Sequence, residues 1–241
     1  MAEFDMDALL ARLQDLSDPK YREFNEGLVP CMEYRSLGVR LPALRAIGRE
    51  LLKKDWLSFL DASRASDWFE LRMLHAIVLG GAKCPIEDKL ALIDAFLPYV
   101  NNWAVCDTLC TSFKPRKSEL DAAFDFVLAC SDSPIEFRKR FGLIMMMNSF
   151  REPPYAERVM AAYRGFHHEG YYARMGAAWG LATLFLYRRE DVLSILSDGV
   201  LDDFTHNKAI QKMCESYRVS DADKQFVRQL RRRSGRTGGG A

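Results

Sequence analysis

The sequence predicts an all-α fold, a HEAT-like helical-repeat solenoid (an α-α superhelix), and three observations predict it. Apolar residues recur at helical spacing along almost all of the 241 residues. Connections between the periodic segments are short and carry Pro, Gly, Asp or Ser, as turns between helices do. No stretch shows the alternating, β-branched pattern of a strand.

The elements follow in order. Met6, Leu9, Leu10, Leu13 and Leu16 keep one apolar stripe, which Ser17-Asp18-Pro19 ends. Pro42 followed by Leu44, Ile47, Leu51 and Leu52 reads as a helix with proline in its first turn. Trp68, Leu71, Leu74, His75 and Val78 mark another, closed by Gly80-Gly81. Further amphipathic segments cover 86–98, 102–113, 117–130, 134–149, 154–165, 169–187, 189–197, 205–218 and 221–233. Helices of 8 to 19 residues are expected throughout. Their pairing at intervals of roughly 33 to 40 residues lies in the HEAT range. No strict motif recurs, so the repeats are divergent. No internal linker appears, which predicts a single repeat domain over 1–233 and a Gly/Ser-rich flexible tail over 234–241.

Composition bounds the function classes. At 49% hydrophobic and 28% charged residues, the chain is neither disordered nor a membrane protein. Its longest nearly apolar run, Gly176 to Tyr187, is shorter than the roughly 20 residues a bilayer needs. The start, Met1-Ala2-Glu3-Phe4-Asp5, lacks the basic and apolar regions of a signal peptide, so the expected location is the cytoplasm. The six cysteines (31, 84, 106, 110, 130 and 214) contain no Cys-x-x-Cys, and no histidine lies near Cys106 and Cys110. Reduced, mostly buried thiols are expected, and no metal site. The net charge of +1 hides six basic residues after 223; without them the body holds 28 basic against 33 acidic side chains. Any footprint for nucleic acid must therefore be a local stripe.

Three segments carry candidate chemistry. In Asn101-Asn102-Trp103-Ala104-Val105-Cys106-Asp107, an indole and a carboxylate stand one helical turn apart and share a face. That pair suits a cation: the ring attracts positive charge and the carboxylate neutralises it. The plainer reading is a core tryptophan beside a solvated aspartate. Ile135-Glu136-Phe137-Arg138-Lys139-Arg140-Phe141 opens a helix running into Met145-Met146-Met147. Arg140 there is a surface ion pair or a phosphate clamp, since its planar fork matches phosphate oxygens. In Tyr171 to Trp179, the residues Tyr172, Met175 and Trp179 share a stripe. Gly176, Ala177, Ala178 and Gly180 either let helices approach closely or leave a slot beside the indole. Lys114, Arg116 and Lys117, and the segment Asn207 to Lys212 with Lys208, are either solvated or set against phosphates beside the site. The Arg231–Arg233 cluster reads as a solvated tail.

Taken in order, Gly38-Val39-Arg40 with Pro42 and Leu44-Arg45, then Asn102-Trp103-x-x-x-Asp107, then Arg140, then Ala178-Trp179 resemble the AlkD-like DNA alkylation repair proteins. The likeness spans roughly residues 30 to 220 and marks a divergent branch. It implies a stack of HEAT-like repeats with a concave DNA-binding face. It further implies a monofunctional DNA glycosylase that excises cationic N3- and N7-alkylated purines from duplex DNA in base excision repair, without metal or cofactor and without requiring base flipping. By the same resemblance Asp107 is the catalytic carboxylate, Trp103 and Trp179 are the indoles at the sugar and backbone, and Arg140 binds phosphate. Tyr172, Lys114 and Lys208 are further DNA-contact candidates.

Two differences stand beside the likeness. The family's tyrosine before Gly-Val finds no match within Pro30 to Leu37, and Met175 and Ala182 stand where basic residues are expected. The expected partner is duplex DNA carrying alkylated purines, bound by a monomer. The alternatives are a non-catalytic DNA-binding paralogue that recognises damaged or branched DNA, and a HEAT-like scaffold for another protein.

Overall fold

The computed structural model describes residues 4–29 and 34–232. The predicted tail over 234–241, Arg233 and Cys31 lie outside the described residues. Among those described there are fourteen α-helices, two short 3-10 turns and no strand. The nearest approach to a sheet is one isolated parallel bridge between Arg35 and Trp68. The helices are α1 (Met6–Asp15), α2 (Pro19–Leu28), α3 (Leu41–Leu51), α4 (Trp56–Ser63), α5 (Phe69–Gly81), α6 (Ile86–Phe96), α7 (Trp103–Ser112) and α8 (Leu120–Ser131). They continue with α9 (Glu136–Ser149), α10 (Ala156–Arg164), α11 (Tyr171–Leu184), α12 (Arg189–Ser197), α13 (Asp203–Glu215) and α14 (Asp221–Gln229).

The all-helical prediction holds, with two helices it did not place. Asp18-Pro19 reads as the stop of α1, yet it also starts α2. The Asp18 carboxylate accepts from the Tyr21 N–H at 3.0 Å, and proline occupies a first-turn position where its missing N–H costs nothing. Asp55 caps α4 in the same way through the Ser58 N–H. The segment expected over 169–187 is shorter as a helix. Gly170 precedes α11, and after Leu184 the chain tightens into turns in which Leu186 and Tyr187 N–H groups reach back three residues.

The chain divides into two compact units, Met1–Phe126 and Val127–Ala241, with the division falling inside α8, where no linker composition marks it. In the first unit α3 packs on α5 and α5 on α7, while α4 packs on α5. In the second, α9 packs on α11 and α11 on α13, while α10 packs on α12. Odd-numbered helices thus neighbour one another in sequence, and α10 and α12 do the same. This is the pairing from which helical repeats are built. Leu44, Ile47, Leu74, Val78 and Leu109 fill the first core; Phe141, Ile144, Leu181, Ile195 and Ile210 fill the second. Gly38 takes φ of 78°, a conformation that favours glycine, and lets the chain turn beneath α2 into α3.

Among the described cysteines, Cys106, Cys110 and Cys130 are buried and Cys84 and Cys214 are half-buried. Among the described residues no helix is long and apolar enough to cross a membrane.

His75 lies in the first core, with Nδ1 2.9 Å from the Ser63 hydroxyl and its ring stacked on Phe96 at 4.0 Å. Burial, reinforced by Arg64 and Arg72, pushes its pKa down to about 3. Below pH 6.5 the unfolded chain takes up a proton that the folded chain refuses. The neutral imidazole's stabilisation is therefore complete above pH 6.5 and is lost as pH falls toward 3. Urea unfolding should lose roughly 2 to 3 kcal/mol between pH 6.5 and 4.5 through this group. His75→Gln, which can keep a hydrogen bond to Ser63, should flatten that slope; an unchanged slope would exclude His75 as its source.

Candidate nucleic-acid interface

Helix α7 is set by Asn102, whose side-chain oxygen accepts from the Val105 N–H at 3.0 Å. Five of its residues, Val105, Cys106, Thr108, Leu109 and Cys110, face the core. What remains accessible is Trp103, Ala104, Asp107 and Thr111, with Ser112 at the end. Residues 103, 104, 107 and 111 fall on one side of a 3.6-residue helix. Trp103 and Asp107 are both half-buried, so this stripe offers an indole and a carboxylate with little else. The Trp103 Nε1–H points at the Leu28 carbonyl at 3.4 Å, which orients the ring edge toward the end of α2.

The residues that hold this stripe were not all visible in advance. Tyr34 donates its hydroxyl to the Tyr99 carbonyl at 3.3 Å and lies against the Asn101 side-chain oxygen, so it closes over the segment that enters α7. Arg72, almost fully buried, lies 4.8 Å from the Tyr34 ring centroid and donates to the Ser66 and Tyr99 carbonyls. Glu70 is wholly buried, and its Oε1 accepts from the Ser36 hydroxyl and from the N–H groups of Leu37, Gly38 and Val39. It thereby fixes the loop that carries Tyr34 and Arg35. A polar residue within the apolar run of α5 was the available signal, but its partners lie more than thirty positions away.

Lys114 is exposed and follows the far end of α7, about 15 Å along a ten-residue helix from Trp103. It lines a cleft of about 640 Å³ together with Gly80, Lys83, Cys84, Lys89 and Arg116. That cleft gathers the C-terminal ends of α5 and α7, where carbonyls point outward. Buried Lys89 answers them, donating to the Leu79 carbonyl at 3.0 Å and the Gly80 carbonyl at 3.3 Å, and burial pushes its pKa down. Arg116 is taken up by Glu119.

In the second unit the accessible stripe of α11 is Tyr172, Met175, Trp179 and Thr183, all half-buried. Gly176, Ala177, Ala178 and Gly180 are buried, which decides between the two readings of the small residues. They serve close packing. A Cβ on Gly180 would stand 1.9 Å from the Tyr163 hydroxyl, and that hydroxyl donates to the Leu143 carbonyl at 2.8 Å. A Cβ on Gly176 would meet Arg140 Cγ at 3.3 Å.

Arg140 lies along Gly176 with only 5% of its surface exposed, and its Nη1 donates to the Tyr172 carbonyl at 2.8 Å. The clamp expected from its fork is thus partly committed to the first turn of α11. Glu136 completes that turn, accepting from the Tyr172 and Ala173 N–H groups. The Tyr172 ring packs between Phe137 and Tyr171. Of the basic run 138–140, only Arg138 remains appreciably accessible, since Lys139 donates to the Ser131 carbonyl at 2.7 Å from a buried position. Lys208 is half-exposed, with its Nζ 3.0 Å from Gln211 Oε1.

Trp103, Asp107 and Lys114 belong to the first unit, and Arg140, Tyr172, Trp179 and Lys208 to the second. A family model described as DNA alkylation repair enzyme matches residues 9–213. No curated protein and no solved structure matches the chain.

Gly180→Ala should destabilise the protein by about 1 to 3 kcal/mol, because a fixed tyrosine must move. Gly176→Ala should cost less, because the flexible stem of Arg140 can yield a few tenths of an ångström. Urea denaturation of the two variants side by side checks the order.

Proposed function

Since this chain belongs to the DNA alkylation repair enzyme family, and so has a role in the repair of alkylated DNA, we propose that it is a glycosylase excising cationic N3- and N7-alkylated purines from duplex DNA as a monomer. The observation that carries this reading is the accessible stripe of α7, which consists of little beyond the Trp103 indole and the Asp107 carboxylate.

The chemistry asks for these two groups. An alkylated purine with a positive charge leaves readily, because the electron pair of the breaking N-glycosidic bond neutralises it. Positive charge then develops on the deoxyribose. Acid catalysis at the base is unnecessary; negative and π-electron density near the sugar is what lowers the barrier. Asp107 supplies the first and orients a water, whose oxygen bonds to the sugar C1′ while its proton passes to the carboxylate or to solvent. The products are the neutral base and an abasic site. Trp103, on the same stripe as Asp107, contributes cation–π stabilisation of about 0.5 to 2 kcal/mol, and the family resemblance implies a like role for Trp179. Arg140, tied to the Tyr172 carbonyl, positions the first turn of α11, and the family resemblance gives its guanidinium the phosphate contact. Lys208 and Lys114 add charge along the backbone.

One observation favours a second reading. The near-complete burial of Arg140 weakens the phosphate clamp that the glycosylase reading expects, and the alternative is a DNA-binding paralogue that recognises shape without catalysing excision. The same assay separates them. Alkylated duplex DNA should release 7-methylguanine or 3-methyladenine with the wild-type protein, and Asp107→Asn should slow release by about 10² to 10³. Equal release by the two proteins would remove Asp107 from the chemistry. Salt-sensitive binding without release would establish the non-catalytic reading.

A further inference from the structure

Several arginines of this protein are matched to carboxylates, as Arg12 is to Glu50, Arg164 to Asp198 and Arg189 to Asp223. Arg218 is different. Among the described residues no carboxylate lies within salt-bridge reach of it, and its Nη2 donates to the Tyr187 hydroxyl at 3.0 Å. Arg151 approaches the same ring, with its guanidinium carbon 4.3 Å from the centroid. Its Nε is buried without a hydrogen-bond partner among the described residues, and its one carboxylate neighbour is Glu152 at 3.8 Å, mostly exposed. Two guanidinium groups therefore converge on one phenol with a single loosely held acid beside them.

Three turns supply these residues: Arg151 follows α9, Tyr187 follows α11 and Arg218 follows α13, helices that pack in that order. An arginine at a helix C-terminus often serves only to cap the last carbonyls. Neither arginine does so here, since neither donates a side-chain hydrogen bond to a carbonyl among the described residues. Stacking uses the face of the Arg151 guanidinium and leaves N–H groups at its edge. The Arg218 hydrogen bond, and the charges of Arg151 and Arg218, hold the Tyr187 pKa below its ordinary value. The phenol is thus polarised as a donor toward an arriving anion.

We propose that Arg151, Tyr187 and Arg218 form a binding site for a backbone phosphate of nucleic acid. The proposal rests on the DNA reading above and extends it to the turns that follow α9, α11 and α13. Tyr187 lies eight positions beyond Trp179, just past the C-terminal end of α11. A phosphate there would be gripped by charge-assisted N–H and O–H bonds while the indole lies further along the strand. Glu152 opposes the phosphate, so its removal acts in the opposite direction to removal of an arginine.

Fluorescence anisotropy of the full-length protein with labelled duplex DNA, titrated over a range of NaCl, tests the site. Arg218→Ala should lower the slope of log affinity against log salt by about one and weaken binding roughly tenfold at low salt. Tyr187→Phe should weaken it a few-fold, to roughly one lost hydrogen bond. Glu152→Gln should tighten it, a gain that a merely structural role would not produce. Arg218 is exposed, and matching thermal melts check that the variant folds. If the wild type binds with a steep slope and both Arg218→Ala and Glu152→Gln match it, this site is overturned and the DNA reading stands. If the wild type shows no salt-dependent binding, both fall.

Discussion

A helix begins with N–H groups that have no partner in their own helix, and a chain of short helices multiplies that problem at every turn. Asp18, Asp55 and Asn102 cap their own helices, and two further carboxylates reach across to the approach or first turn of a neighbouring one. Glu70, in the first turn of α5, takes the N–H groups of the loop that leads into α3. Glu136, in the first turn of α9, takes those of Tyr172 and Ala173 at the start of α11. Both acids sit where the α-helix dipole also favours negative charge. The accessible stripes depend on this arrangement: the loop fixed by Glu70 presents Tyr34 to the entry of α7, and the turn fixed by Glu136 presents Tyr172. Even Gly170 follows from it, because a Cβ there would stand 2.4 Å from the Glu136 carboxylate.

What was legible in the sequence is what depends on local periodicity. Trp103 and Asp107 read as one face from their spacing, and the structure leaves that face accessible. The stripe of Tyr172, Met175 and Trp179 was legible for the same reason. Asp18-Pro19 was not, because the same dipeptide ends one helix and caps the next. The buried state of Arg140 was not legible either, since it depends on Gly176, thirty-six positions away, leaving room for the arginine stem. The small residues around Trp179 admitted two readings until Tyr163, from another helix, was seen filling the space. Lys114 looked adjacent to the indole because it is near in sequence, but a helix converts ten residues into distance.

Charge follows the same division between local and distant causes. A body with more acidic than basic side chains argues against a broad nucleic-acid surface, yet charge counts ignore pairing. Several guanidinium groups lie on aromatic rings: Arg35 on Trp68, Arg72 on Tyr34, and Arg151 and Arg218 on Tyr187. An aromatic face holds an arginine without neutralising it. Such sites keep their positive charge in a chain whose overall balance is near zero.

All four tryptophans, at positions 56, 68, 103 and 179, are half-buried. Indole emission shifts with the polarity around the ring and is quenched by stacking against nucleobases. A ring lying wholly in the core would be blind to a ligand, and one fully in water would report little beyond solvent. Rings at the boundary respond to what settles on them. Intermediate burial thus gives each unit at least one indole whose native fluorescence would report a ligand settling against it.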